Sequence, residues 1–211
     1  MWVITKALTE TAAWSSDAPF RVAANVSPLQ LNREDFADHV LAAINEVGVD
    51  ARRLELEVTE SSLMADPRRA SSSLARLREA GVAIAIDDFG TGHSSLRMLA
   101  GLPIDVLKID GSFVRDLTTN WHHRLIVQTT IGLARSLGHK TVAEGVETAE
   151  QLELLKDLGC DSVQGYYISR PAAAPDVAAW LAGDTLGKLR GLVGKVHEPR
   201  AARQPRAKRG D

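Results

Sequence analysis

Short apolar runs alternate with longer stretches of helical spacing along most of this chain. Phe20 to Val26, Leu54 to Thr59, Val82 to Asp88, Asp105 to Ile109, Thr141 to Val146 and Ser162 to Ile168 read as strands. Helices are predicted between them. Trp2 to Trp14 comes first, and Arg33 to Val47 follows with Phe36, Val40, Leu41 and Ile44 on one face and a stop at Gly48. Asp66-Pro67 opens a helix that runs to Gly81, with proline in its first turn. A short helix is expected after Ser94, and a longer one from Asn120 to Leu137 ends at Gly138. Thr148 and Gln151 form a capping box for a helix ending at Leu158, and Pro175 to Leu181 is the last helix.

Strands alternating with helices predict a parallel α/β fold, either a (β/α) barrel or a doubly wound sheet. The polar residues at the strand ends favour the barrel. Asn25, Glu57, Asp87 with Asp88, Lys108, Glu144 and Gln164 all fall at or near the carboxyl ends of their strands. In a barrel those ends share one face, where the βα-loops build the active site; in a doubly wound sheet they would spread along an edge. Asp87 and Asp88 are the sharpest case, because adjacent carboxylates repel unless a cation, a proton or a basic side chain lies between them. One amide, several carboxylates and one lysine make an oxygen-rich set suited to Mg²⁺ or Mn²⁺ rather than zinc. Adjacent aspartates can bridge two such ions, an arrangement used for in-line attack on phosphodiesters. Lys108 would then orient water or neutralise developing charge.

Composition narrows the class without changing it. The 211 residues are 45% hydrophobic and 25% charged, as in an ordinary globular protein, and no apolar run approaches the length of a membrane span. Cys160 is the single cysteine, so no internal disulfide forms and a cytoplasmic setting is expected. The net charge of −2 conceals an asymmetry: from residue 185 onward eight Lys/Arg face only Glu198 and Asp211. Residues 1–184 are therefore expected to form the folded domain and 185–211 a basic, disordered tail. The acidic body argues against a nucleic-acid polymer as partner.

The motifs carry a resemblance. NVSPLQL (Asn25 to Leu31), LELEVTES (Leu54 to Ser61), AIDDFGTGHSSL (Ala85 to Leu96), LKIDGSFV (Leu107 to Val114), VAEGVET (Val142 to Thr148) and QGYYISRP (Gln164 to Pro171) are similar, in order and spacing, to those of the EAL family of bacterial cyclic di-GMP phosphodiesterases. The resemblance implies a TIM-like barrel that opens one phosphodiester of cyclic di-GMP to give linear pGpG with two Mg²⁺ or Mn²⁺ ions. By the same resemblance Asn25, Glu57 and Asp87 are metal ligands, with Asp87 bridging the ions. Asp88 and Glu144 serve the second ion, Lys108 binds the attacking water, and Gln164 lies near it. Glu60 supports the loop after Asp88, Glu147 supports the site, and that loop, where His93 replaces the usual tyrosine, implies a homodimer contact. The family's opening strand and its Glu-Ala-Leu segment have no counterpart here, so an incomplete barrel of about six of the eight strands and a weakened first metal site are expected. A non-catalytic cyclic di-GMP-binding or protein-interaction module on the same fold, and a different metal-dependent barrel enzyme, are the competing readings.

Overall fold

Six parallel strands form a single sheet, and their order in the sheet is their order in the sequence. They are β1 (Val22–Val26), β2 (Leu54–Thr59), β3 (Ala83–Phe89), β4 (Val106–Ile109), β5 (Lys140–Ala143) and β6 (Ser162–Val163). This computed structural model describes residues 1–14, 20–90, 99 and 101–182. The sequential order contains no reversal, which excludes the doubly wound alternative. The sheet is not closed among the described residues: β1 and β6 are its two edges.

Parity sorts the two faces of the sheet. Ala24, Val26, Leu56, Val58, Ile84, Ile86 and Leu107 join Leu8, Phe36, Val40, Leu74 and Leu77 of the surrounding helices in one apolar cluster. A second cluster gathers Ile109, Ala143 and Val146 with Val127, Ile131, Leu152 and Leu155. The alternate residues face the other way. Register pairs Asn25 with Glu57 and Glu57 with Ala85, and it pairs Lys108 with Val142. Ala23 and Asn25 are exposed on this face, β1 being an edge of the sheet among the described residues.

Several boundaries differ from the predicted ones for local reasons. Ser27-Pro28 ends β1 as predicted, but it also starts a short helix, Pro28–Leu31, through a capping box between Ser27 and Gln30. Thr59 caps a further helix, Glu60–Ala65, and Asp110 caps Gly111–Arg115, neither of which periodicity reveals in so few residues. The first helix is Trp2–Ala12, the helix predicted from Arg33 starts at Phe36, and the last among the described residues is Ala174–Ala182. Arg53 secures the first helix to the sheet: its guanidinium donates to the carbonyls of Thr11 (2.6 Å), Ala12 and Trp14 and lies over the Phe20 ring. Those carbonyls lie at or just beyond the carboxyl end of the helix, where Thr11 O also accepts from Trp14 N at 3.1 Å. The helix predicted after Ser94, the loop from Thr91 that contains His93, and the basic tail lie outside the described residues.

The predicted strand Ser162 to Ile168 stops at Val163, because the chain there turns over the end of β5. Gln164 N donates to the Ala143 carbonyl at 2.8 Å, Val146 N donates to the Gln164 carbonyl at 3.0 Å, and Tyr167 N donates to the Val146 carbonyl at 3.0 Å. Gly165 sits inside this weave, where a β-carbon would stand 2.2 Å from Val146 O and 2.3 Å from Val146 N. Gly165→Ala is therefore expected to cost about 1–3 kcal/mol of stability by overpacking against a backbone that cannot yield. Denaturant unfolding checks this; an unchanged midpoint would contradict so close an approach.

Candidate active site

Lys108 is the centre of the site. It lies on β4 with its side chain only 5% exposed, which is rare for a lysine without partners. Its ammonium contacts Glu144 Oε1 at 2.6 Å, Glu57 Oε1 at 2.7 Å and Asp87 Oδ1 at 3.1 Å. Period-two alternation delivers these groups: Glu57 from β2 and Asp87 from β3 share the Lys108 face, and Glu144 follows the end of β5. Burial alone would pull the Lys108 ammonium down, but hydrogen bonds to Glu144 and Glu57 outweigh it and hold the pKa above the ordinary lysine value. Burial pushes the Glu144 carboxyl up, and its hydrogen bond to Lys108 opposes that shift.

Asp88 takes its place through a local distortion. The pairing of β3 with β4 shifts register between Ile86 and Phe89, and Asp88 has φ of 55°. It has the one positive φ outside glycine among the described residues, and aspartate tolerates that region better than most side chains. The bulge lets two consecutive carboxylates approach one site. One oxygen each of Asp87, Asp88 and Glu144 lie within 4.8 Å of one another. Burial raises the Asp88 pKa, and the charge of Asp87 and a hydrogen bond shared with Asp110 raise it further.

The donor set fits a hard divalent cation. It consists of carboxylate oxygens, and Asp87 Oδ1 is buried, with the Lys108 ammonium at 3.1 Å as its ion-pair partner and no hydrogen bond besides.

The structure thus brings together Glu57, Asp87, Asp88, Lys108 and Glu144, while the remaining predicted residues stand further out. Asn25 is exposed beside Glu57 in register on the edge strand. Gln164 is exposed, held by its backbone to β5. Glu60 is buried at the start of its helix, and the loop it is expected to hold lies outside the described residues. Glu147 is exposed and uses its backbone N–H, which donates to Gln151 Oε1 at 2.7 Å. Asp110 escaped the sequence reading. It shares a hydrogen bond with Asp88, and Ser112 holds it with its N–H at 2.9 Å and its hydroxyl. Burial raises the Asp110 pKa, but these hydrogen bonds prevail and leave it below the ordinary value. The available signal was parity, since Asp110 lies two residues beyond Lys108 on the same face.

The hollow lined by Arg21, Arg78, Val82 and Asp105 opens at the amino ends of the strands, away from the acidic cluster. No helix among the described residues is long and apolar enough to cross a membrane.

Comparison with known proteins agrees with this geometry. The cyclic di-GMP phosphodiesterase PA2567 of Pseudomonas aeruginosa is 40% identical over 181 residues, which is 85% of this chain and 31% of that protein. An uncharacterized signaling protein of Caulobacter vibrioides is 45% identical over 184 residues, 87% of this chain and 22% of its own. The chain therefore spans about a fifth to a third of these relatives' length. Among solved structures, the EAL domain of Mycobacterium smegmatis DcpA superposes with a TM-score of 0.82 at 36% identity, covering 94% of this chain and 84% of that one. The PaMucR phosphodiesterase in its c-di-GMP complex gives 0.80 at 40% identity, covering 83% and 72%. Klebsiella pneumoniae BlrP1, solved with manganese and c-di-GMP, gives 0.72 at 29% identity, covering 82% and 43%; a calcium complex of BlrP1 is also known. The profile of the EAL domain family matches residues 1–171, and this chain belongs to that family.

Proposed function

We propose that this chain is a cyclic di-GMP phosphodiesterase domain that hydrolyses one phosphodiester to give linear pGpG, with two Mg²⁺ or Mn²⁺ ions. The observation that carries this reading is the gathering of Asp87, Asp88 and Glu144 oxygens within 4.8 Å of one another beside the Lys108 ammonium at the carboxyl ends of the strands. In the proposed assignment Asn25, Glu57 and Asp87 would hold one ion, and Asp87 with Asp88 and Glu144 would hold the other. Bound ions would polarise the phosphoryl oxygens and make water a better nucleophile near neutral pH. Lys108 orients the attacking water and offsets the negative charge that grows on the phosphoryl oxygens. Glu144, in direct contact with Lys108, takes the water's proton as the 3′ oxygen leaves. Gln164 flanks the water, Glu60 steadies the loop after Asp88, and Glu147 supports the turn after β5.

The second reading is a non-catalytic cyclic di-GMP-binding module. It is favoured by one observation: Asn25 stands exposed on β1, an edge strand among the described residues, and lies outside the group of carboxylates gathered around Lys108.

The test is chromatographic detection of pGpG from cyclic di-GMP with Mn²⁺ or Mg²⁺, together with calorimetric binding in Ca²⁺. Turnover that stops with a chelator is the expected result. Binding without turnover would favour the second reading, and neither binding nor turnover would overturn both.

A further inference from the structure

The basic tail takes no part in the proposed chemistry, and its residues are sorted in a way that charge alone does not require. Leu186, Leu189, Leu192, Val193 and Val196 recur at three- and four-residue steps. At about 100° per residue they would share an arc of about 120°, with Lys188, Arg190 and Lys195 outside it. Arg200, Arg203, Arg206, Lys208 and Arg209 follow directly. These residues lie beyond those the structure describes, and their spacing is a property of the sequence. An apolar arc with a basic opposite side, next to a polybasic run, is the pattern of a segment that lies in a lipid interface.

The folded domain is charged to suit such an attachment. Its carboxyl-end rim carries Glu57, Asp87, Asp88, Asp110 and Glu144 against the ammonium of Lys108. At the amino ends of the strands the charges are balanced instead: Arg21 pairs with Glu55, Arg52 with Asp50, Arg78 with Asp105 and Lys140 with Asp161. An anionic surface therefore repels the rim far more than the opposite face. The tail also leaves on the favourable side. Helices of a parallel sheet return from the carboxyl ends of the strands to the amino ends, as Trp121–Leu137 does just before β5. Ala174–Ala182 follows the turn over the end of β5, packs on Trp2–Ala12, and by the same winding runs toward the amino-end face.

We infer that residues 186–209 attach this domain to an anionic lipid surface, with the amino-end face turned toward the lipid and the acidic rim turned away. Two signals act together, since either alone gives only marginal binding. The apolar arc enters the headgroup boundary, and each Lys or Arg held near the anionic surface strengthens binding roughly fivefold. A nucleic acid would use the basic run and leave the apolar arc without a partner.

The experiment is co-flotation of the full chain with vesicles of phosphatidylcholine alone and of equal parts phosphatidylcholine and phosphatidylglycerol. The chain should float with the mixed vesicles, not with the neutral ones, and less as salt is raised. Changing Arg203, Arg206 and Arg209 to Gln should weaken binding roughly 100-fold. Leu189→Ser with Val193→Ser should weaken it roughly 10-fold or more at unchanged charge, while Gly187→Ser with Gly191→Ser, off the arc, should bind like the parent. All these positions lie outside the described domain, so melting temperatures should not move. For orientation, a fluorophore on Arg52→Cys should be quenched by nitroxide-labelled lipid and one on Leu29→Cys should not, since both positions are exposed, at opposite ends of the strands. Equal flotation with both vesicles, or arginine or leucine variants that float like the parent, would overturn the attachment. Binding to single-stranded RNA without binding to vesicles would make a nucleic acid the partner and overturn it as well. Quenching at Leu29 rather than Arg52 would overturn the orientation.

Discussion

Lys108→Met is expected to destabilise the metal-free chain by about 3–5 kcal/mol and to abolish turnover. The substitution keeps much of the buried stem and removes only the charge, so the loss isolates the ammonium. Glu57, Asp87 and Glu144, now held within contact distance of Lys108, would face one another with no cation between them. Glu144, whose carboxyl burial already pushes up, loses the Lys108 hydrogen bond that opposes that shift and escapes part of the cost by taking up a proton. Stability held by that proton is present at low pH and lost as pH rises, so the deficit should widen as the pH is raised. A divalent cation should then rescue more stability in the variant than in the unmodified chain, because the carboxylates have no other counter-charge. Denaturant melts with chelator and with Mn²⁺ check this; equal rescue in both proteins would mean that no cation enters the cluster.

Asp87→Asn separates activity from stability in the opposite way. Turnover should fall by roughly 10³-fold or more, since the substitution removes a charge at the centre of the proposed cation-binding set. Folding should not suffer. At an effective dielectric constant of 20, the attraction between Asp87 and Lys108 at 3.1 Å is roughly 5 kcal/mol. Repulsion from Asp88 and Glu144, each with an oxygen within 4.8 Å, comes to roughly 3.5 kcal/mol apiece before solvent screening of the exposed Asp88. Together the repulsions exceed the attraction by roughly 2 kcal/mol before that screening, so Asp87→Asn should not lower stability, a pattern common where a site is kept for function. Parallel turnover and unfolding measurements test it; a variant that melts several kcal/mol below the parent would assign Asp87 a structural role.

These two residues also show what was legible in the chain and why. Lys108 within the apolar run Val106 to Ile109 could be placed on the site face by parity alone, as could Glu57. Asp87 and Asp88 could be placed at a strand end, but alternation sends neighbouring residues to opposite faces. Only the shifted register and the positive φ of Asp88 reconcile both with one site, and neither is a property of residue type. The residue pattern puts Gln164 within a strand from Ser162 to Ile168. The strand ends before it because Gly165 must pass over Val146, a tertiary contact with no local signal. The short helices after Ser27, Thr59 and Asp110 had legible caps, but too few residues for a period. The resemblance implied an incomplete barrel of about six strands, and among the described residues the six-stranded sheet is open, with β1 and β6 as its edges.

The two apolar clusters give the ion cluster a mechanical meaning. Strand β4 contributes Leu107 to one and Ile109 to the other, and Lys108 stands between them in sequence. Its partners divide accordingly: Glu57 and Asp87 come from strands that belong to the first cluster, and Glu144 follows a strand that belongs to the second. A side chain chosen for chemistry is thereby also a clasp across the seam of two half-cores. Any slip of one half against the other would pull at least one carboxylate from the ammonium, so the site can assemble only when both halves are seated in register.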